Sequence, residues 1–135
     1  CAVRKIDVRR IVVLRAAPCR LTVDGKESVR DALFVEVCNS RKTGGEMIMA
    51  PSAKVDDGLF DVVVAGAMSR ATLLKIFPLI FTGEHVNDPH IEVLRGSRIS
   101  VSFEPPQKVT PDGEILGTTP FEIEVVPRAL EVFSL

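Results

Sequence analysis

The chain has 135 residues, 46% of them hydrophobic, with 17 Lys and Arg against 18 Asp and Glu, a net charge of −1, and neither Trp nor Tyr. That length lets one domain bury about two thirds of its unfolded surface. The near-neutral balance supplies no field to gather phosphate backbones, and the seven Phe sit mostly inside apolar runs, so nucleic acid is not an expected partner.

From the N-terminus, residues 3–8 read as strand directly after an initial Cys1, the pattern expected of a domain cut from a longer protein, with 1–135 forming a single domain. No apolar run reaches the ~18 residues of a membrane span, and no basic-then-apolar leader precedes the first strand, so a cytoplasmic chain is expected. Cys1, Cys19 and Cys38 form an odd set without a close pair and are expected to be reduced, mostly buried thiols. Residues 11–16, apolar apart from Arg15, read as a strand covered on both sides. Arg20 and Thr22 then alternate with Leu21 and Val23 as a strand with one wet face, and Asp24-Gly25 is expected at a hairpin tip. Residues 33–38, 47–49 and 60–65 are apolar and β-branched, as strands covered on both sides would be. Gly44-Gly45 and Asp57-Gly58 mark the turns between them.

One segment departs from the period of two. Ser69 can cap a helix whose apolar positions Leu73, Leu74, Ile76, Phe77, Ile80 and Phe81 follow helical spacing, with Gly83 as its stop. Pro78 lacks the amide that would bond the Leu74 carbonyl, so a kink or two short helices are expected near 69–82. Its apolar faces fit burial beneath a sheet, or a patch turned toward acyl chains or another domain. Gly96-Ser97 is the next turn, after which Ser100/Ser102 and Glu122/Glu124 alternate with apolar neighbours. Many short strands at this spacing make the fold mainly β, a two-layer β-sandwich with one short helical segment.

Two acidic turns carry the chemical interest. In Pro111-Asp112-Gly113-Glu114, an extended backbone through the glycine would set both carboxylates on one face, where like charge raises one pKa and makes a base suited to an alcohol proton. Taken alone, the triplet reads as an ordinary turn between strands, and the catalytic reading needs geometry beyond it. In the stretch 54–59, Asp57 and loop carbonyls offer a partial oxygen shell for Mg²⁺, which commonly keeps several waters. There, too, a simple turn into the strand 60–65 accounts for the same residues. His85 and His90 lack neighbouring ligands and are not expected to bind metal. Neither a nucleophile elbow nor a Walker loop occurs.

Asn39, Gly44-Gly45, Ala50-Pro51, Ala53, Asp56-Asp57-Gly58-Leu59-Phe60-Asp61, Gly83-Glu84-His85, Asp112-Gly113-Glu114 and Val126-Pro127-Arg128-Ala129-Leu130 occur in an order that resembles the C-terminal domain of the diacylglycerol kinase-like lipid kinases. That group contains bacterial diacylglycerol and phosphatidylglycerol kinases and the sphingosine and ceramide kinases. The resemblance implies transfer of the γ-phosphoryl group of ATP to a lipid hydroxyl by two domains, of which this chain is similar to the acceptor-side β-sandwich. The Gly-Gly-Asp-Gly-Thr signature of the nucleotide domain is absent, so ATP, the co-substrate, would be held mainly by an N-terminal domain outside the sequence, and the fragment alone should not turn over. By resemblance Glu114, or its neighbour Asp112, is the general base, and Lys54 and Leu59 lend carbonyls and Asp57 its carboxylate to Mg²⁺. Glu46 follows Gly44-Gly45 where many relatives have a further glycine.

The partners implied are a lipid substrate, the N-terminal ATP-binding domain and the membrane surface, touched peripherally; pairing of two copies through a strand edge is left open. Met47, Ile48, Met49 or the segment 77–81 would line an exit for lipid tails. Two other readings stand beside this one: an NAD kinase-like domain acting on a soluble dinucleotide, and a non-enzymatic β-sandwich interaction module.

Overall fold

Strand alternation and turn chemistry build one long, curled antiparallel sheet. The fold, a computed structural model, describes residues 15–110 and 115–126. Its strands are β1 (Ala17–Val23), β2 (Lys26–Cys38), β3 (Phe60–Gly66), β4 (Ile91–Gly96), β5 (Arg98–Phe103), β6 (Lys108–Val109), β7 (Gly117–Thr118) and β8 (Phe121–Glu124). Six of them form a sheet in the order β4-β3-β2-β1-β5-β8, and β6 pairs with β7 in a small second sheet. The expected strands at 3–8 and 11–14 lie outside the described residues, as do Cys1 and the turn 111–114.

The two layers share β2. Its first half pairs with β1 from Val23↔Lys26 to Ala17↔Ala32, and its second half pairs with β3 from Ala32 to Cys38, with a register irregularity between Ala32 and Phe34. An irregularity of this kind bends a strand and sharpens its twist, and here it lets one 13-residue strand serve both layers. The sheet then closes on a core in which Val62 and Val64 of one layer face Cys19, Leu21, Ile99 and Val101 of the other. All six are essentially without solvent contact.

The opposite face of β2-β3-β4 is covered by a loop and a helix rather than by strands. Ser69 Oγ accepts the Thr72 amide at 3.2 Å and starts α1 (Arg70–Ile76), which gives way at Pro78 to a 3-10 turn, Phe77–Phe81. A second 3-10 turn, Glu84–Asn87, follows Gly83, whose φ of +80° suits glycine. The expected break at proline is present. The apolar segment divides its faces: Ile76 and Ile80 are buried against Val63, Ala65 and Ile91, whereas Leu74 and Phe81 are 53% and 46% exposed.

Residues 47–49 are not a strand, contrary to the sequence expectation. Met47 makes a single bridge with Thr43, and the Ile48 amide donates to the Ile80 carbonyl at 2.8 Å, so the segment's hydrogen bonds go to a turn and to the 3-10 segment instead of a ladder. Its apolar residues serve the core all the same, with Met49 buried beneath the helical layer. Cys19 and Cys38 are free and buried, as expected of structural thiols.

Candidate functional site

The acidic loop 50–59 leads into β3 and is fixed by that strand and by β4. The alternation of β3 sends Phe60, Val62 and Val64 into the inter-layer core, and Asp61, Val63 and Ala65 to the helical side. Asp61 therefore sits, with no exposed surface, at the end of a hydrophobic face. A carboxylate in that position needs partners. Its Oδ2 accepts from Ser52 Oγ at 2.7 Å and its Oδ1 from Arg95 Nε at 3.1 Å, Arg95 being its register neighbour on β4.

Arg95 also reaches the loop. Its Nη2 donates to Asp57 Oδ2, while Asp57 Oδ1 accepts the Leu59 amide at 3.0 Å. Gly58, at φ +68°, allows the turn that folds Leu59 back over the Asp57 side chain. One guanidinium thus joins a buried carboxylate in the sheet to a half-buried one in the loop, and Ser52 ties the start of the same loop to the same anchor. Cys38, paired in register with Asp61, has its thiol pushed up to about 12 by burial first and then by Glu36 and Asp61. It is a packing residue and not a nucleophile.

A cleft of about 410 Å³ opens beside the loop, lined by Asn39, residues 55–58, Phe60 and residues 124–126. Asp56, Asp57 and Glu124 set three carboxylates around it. The end of β8 is held there by the Val125 amide donating to the Ser97 carbonyl at 2.8 Å. Among the described residues no three His, Cys, Asp or Glu side chains gather as a metal-holding group. The shell implied by resemblance is of another type, one carboxylate with two main-chain carbonyls. Lys54, Asp57 and Leu59 fall on this single loop, and the Asp57 carboxylate is held by the amide of Leu59. Both Asp57 oxygens are engaged here, one by the Leu59 amide and one by the Arg95 guanidinium, so a divalent cation that retains waters would share this carboxylate with them.

The candidate base, Asp112 or Glu114, lies outside the described residues. The stem on either side is described: Val109 pairs with Gly117, and the Leu116 amide donates to the Val109 carbonyl at 3.0 Å. The histidines have structural roles. His85 is buried, its Nε2 bonds the Met49 carbonyl at 2.9 Å, and burial pulls its pKa below the ordinary value. His90 pairs with Asp88 at 2.8 Å. Sequence reasoning missed Asp61, Arg95 and Ser52 as a unit. A lone carboxylate inside the apolar run 60–65 was the available signal. Arg95, 34 residues away from it, had none.

Residues 4–134 match the family described as the YegS C-terminal NAD kinase beta sandwich-like domain. A diacylglycerol kinase of Mycobacterium tuberculosis (strain H37Rv) is 38% identical over 120 residues, covering 88% of this chain and 38% of the relative. A diacylglycerol kinase of Bacillus subtilis (strain 168) is 27% identical over 119 residues, covering 88% of this chain and 39% of the relative. A crystal structure of a candidate diacylglycerol kinase from Bacillus anthracis str. Sterne superposes with a TM-score of 0.72 at 25% identity, over 89% of this chain and 42% of that one. The chain spans about two fifths of the length of these relatives.

Proposed function

Because the chain belongs to the YegS C-terminal, NAD kinase β-sandwich-like family, we propose that it is the acceptor-side domain of an ATP-dependent lipid kinase acting on diacylglycerol or a related lipid. The observation that carries this reading is the acidic loop, locked as one unit by Ser52, Asp61 and Arg95 at the rim of an open cleft, in a chain akin to diacylglycerol kinases.

Phosphoryl transfer rests on positioning and charge neutralisation, so an ATP-holding lobe and an acceptor-holding lobe must close on one another. In this domain Glu114, or Asp112 beside it, takes the proton of the lipid hydroxyl as its oxygen bonds the γ-phosphorus and the bond to the ADP oxygen breaks. Mg²⁺ would be held by Asp57 and the carbonyls of Lys54 and Leu59, and when bound it supplies positive charge beside the cleft. Arg95 keeps the Asp57 side chain oriented and its charge balanced. The residues of the loop bind and orient; the proton moves at the 112–114 turn. The enzyme works at the membrane from the cytoplasmic side.

The test is a phosphate-transfer assay on the intact protein with ATP, using diacylglycerol, other glycerolipids and sphingoid bases as acceptors. Glu114→Gln is expected to lower kcat about a hundredfold or more, the usual scale for a general base, with Asp112→Asn next and the melting temperature unchanged in both. Full activity in both variants would remove the proposed base. The family's likeness to NAD kinases favours a second reading, a soluble dinucleotide as acceptor. Phosphorylation of NAD by the intact protein, unaffected by lipid vesicles, would replace the first reading by the second.

A further inference from the structure

Arg95 sets a permanent positive charge against the carboxylate that a cation at the acidic loop would use. Its Nη2 donates to Asp57 Oδ2, and the Leu59 amide donates to Oδ1 at 3.0 Å. We propose that Arg95 is a fixed counter-charge that stands in for the divalent cation: it keeps the Asp57 carboxylate in its folded position when no cation is bound, and its charge weakens the hold of the loop on one. The inference rests on the reading of Lys54, Asp57 and Leu59 as the cation's ligands, and adds to it the residue that sets their affinity.

The guanidinium is not free to step aside. Its Nε donates at 3.1 Å to Asp61 Oδ1, and Asp61, its register partner across β3 and β4, has no exposed surface. Swinging Arg95 away would strand a buried carboxylate without its ion partner, which is strongly unfavourable. Arg95 therefore stays beside Asp57 whether or not a cation arrives. A carboxylate has about four lone-pair sites, and those left over on Asp57 face a cleft open to solvent, so a cation can still be bound there. It then shares one carboxylate with a like charge. A unit charge about 6 Å from a divalent ion weakens its binding roughly tenfold even at the dielectric constant of bulk water.

The loop draws its shape from protein groups. Ser52 Oγ donates to Asp61 at 2.7 Å, the Ala53 amide to the Ala50 carbonyl at 3.0 Å, and Arg95 and the Leu59 amide hold Asp57. Sites whose ligands converge only around a metal fold when the metal binds. This loop, with Arg95 in place, keeps its form without one, and its occupancy follows the cation concentration instead of deciding whether the loop folds.

The experiment titrates the intact protein, stripped with EDTA and free of ATP, with magnesium chloride by calorimetry and with Mn²⁺ by the paramagnetic resonance signal of the free aqua ion. D57N locates the site, and only binding lost in that variant counts as binding at the loop. R95Q should hold the cation about tenfold more tightly than wild type, whereas R95K, which keeps the charge, should stay within about threefold. D61N/R95Q strands no buried carboxylate and should bind more tightly than D61N alone, a comparison that holds even where R95Q by itself folds poorly. Because a ligand stabilises the fold in step with its affinity, a fixed Mg²⁺ concentration should raise the melting temperature of R95Q more than that of wild type. Equal or weaker binding by R95Q together with no gain of D61N/R95Q over D61N, or the same gain in R95K as in R95Q, would overturn the inference and leave the cation site standing. Binding unchanged in D57N would remove the cation site and the inference with it, while the phosphate-transfer assay decides the lipid kinase reading separately.

Discussion

At the scale of single residues, the Asp61 carboxylate decides the local energetics because water cannot reach it. Removing one partner of a buried charge leaves the other uncompensated, which costs more than the pair itself contributes. Ser52→Ala removes a hydroxyl that donates to this carboxylate at 2.7 Å, and should lower unfolding free energy by about 1.5–3 kcal/mol, the scale of a hydrogen bond to a charged group. Arg95→Met should cost about 2 kcal/mol, less than a fully buried pair would lose, because the Arg95 side chain is 43% exposed and solvent takes up part of the deficit. Asp61→Asn keeps the shape and removes the charge, so it should be milder than Arg95→Met. Urea denaturation of the three variants checks the order. An Arg95→Met protein as stable as wild type would show that Asp61 finds another partner.

At the scale of elements, His85 joins the second 3-10 turn to the irregular segment before the acidic loop through its bond to the Met49 carbonyl. Burial lowers its pKa below 6.5, so the unfolded chain takes up the proton first. The stability from neutral His85 is complete above about pH 6.5 and is lost as pH falls through the lower native value. Urea midpoints measured from pH 7.5 downward should decline in wild type and stay flatter in His85→Gln, whose amide can still donate to Met49. The same elements mark what sequence could reveal. The hairpin at Asp24-Gly25, the Ser69 cap, the break at Pro78, the alternation of β1, β5 and β8 and the apolar run of β3 were legible, since each depends on neighbours within a few positions. The segment 47–49 misled because an apolar triplet has the same composition whether its backbone bonds to a strand or, as here, the Met47 carbonyl accepts the Thr43 amide and the Ile48 amide donates to the Ile80 carbonyl. The first half of β2 was hidden by Lys26, Glu27, Arg30 and Asp31, charges that fall on both faces and erase the apolar alternation, although its partner β1 is the adjacent arm of the hairpin. Of the candidate site, Lys54, Asp57 and Leu59, the set implied by resemblance, lie within six consecutive residues and so share one loop. The Ser52, Asp61 and Arg95 anchor was illegible because it joins strands 34 residues apart.

At the scale of the whole molecule, one sheet makes both layers of the sandwich, so its curl must be fastened where the β4 edge folds back over β1. The fastening is at the β1-β2 turn. Asp24, at φ +48°, accepts the amides of Ser97 and Arg98 at 3.0 and 2.9 Å, and these bonds hold its carboxyl below the usual range, Arg98 contributing most. Its own amide donates to the Arg98 carbonyl at 2.9 Å. This contact brings the β4-β5 turn onto the β1-β2 hairpin, and it is close enough to require glycine at position 96. A Cβ there would meet Val23 Cγ1 at 2.5 Å and Asp24 Oδ2 at 2.9 Å. Gly96→Ala must therefore push the hairpin away from β4 and open the edge of the inter-layer core at Val23 and Leu94, which pack into it. Overpacking of this kind typically costs about 1–3 kcal/mol, and the loss should appear as a lower urea midpoint with an unchanged slope, since the surface exposed on unfolding stays the same. Gly25→Ala at the hairpin tip separates closure from backbone strain: its Cβ would meet nothing within 4 Å, yet its φ of +82° makes the residue strained. If both variants lose stability while only Gly96→Ala also weakens hydrogen-exchange protection across β4 and β5, the turn-to-turn contact is what holds the two layers closed.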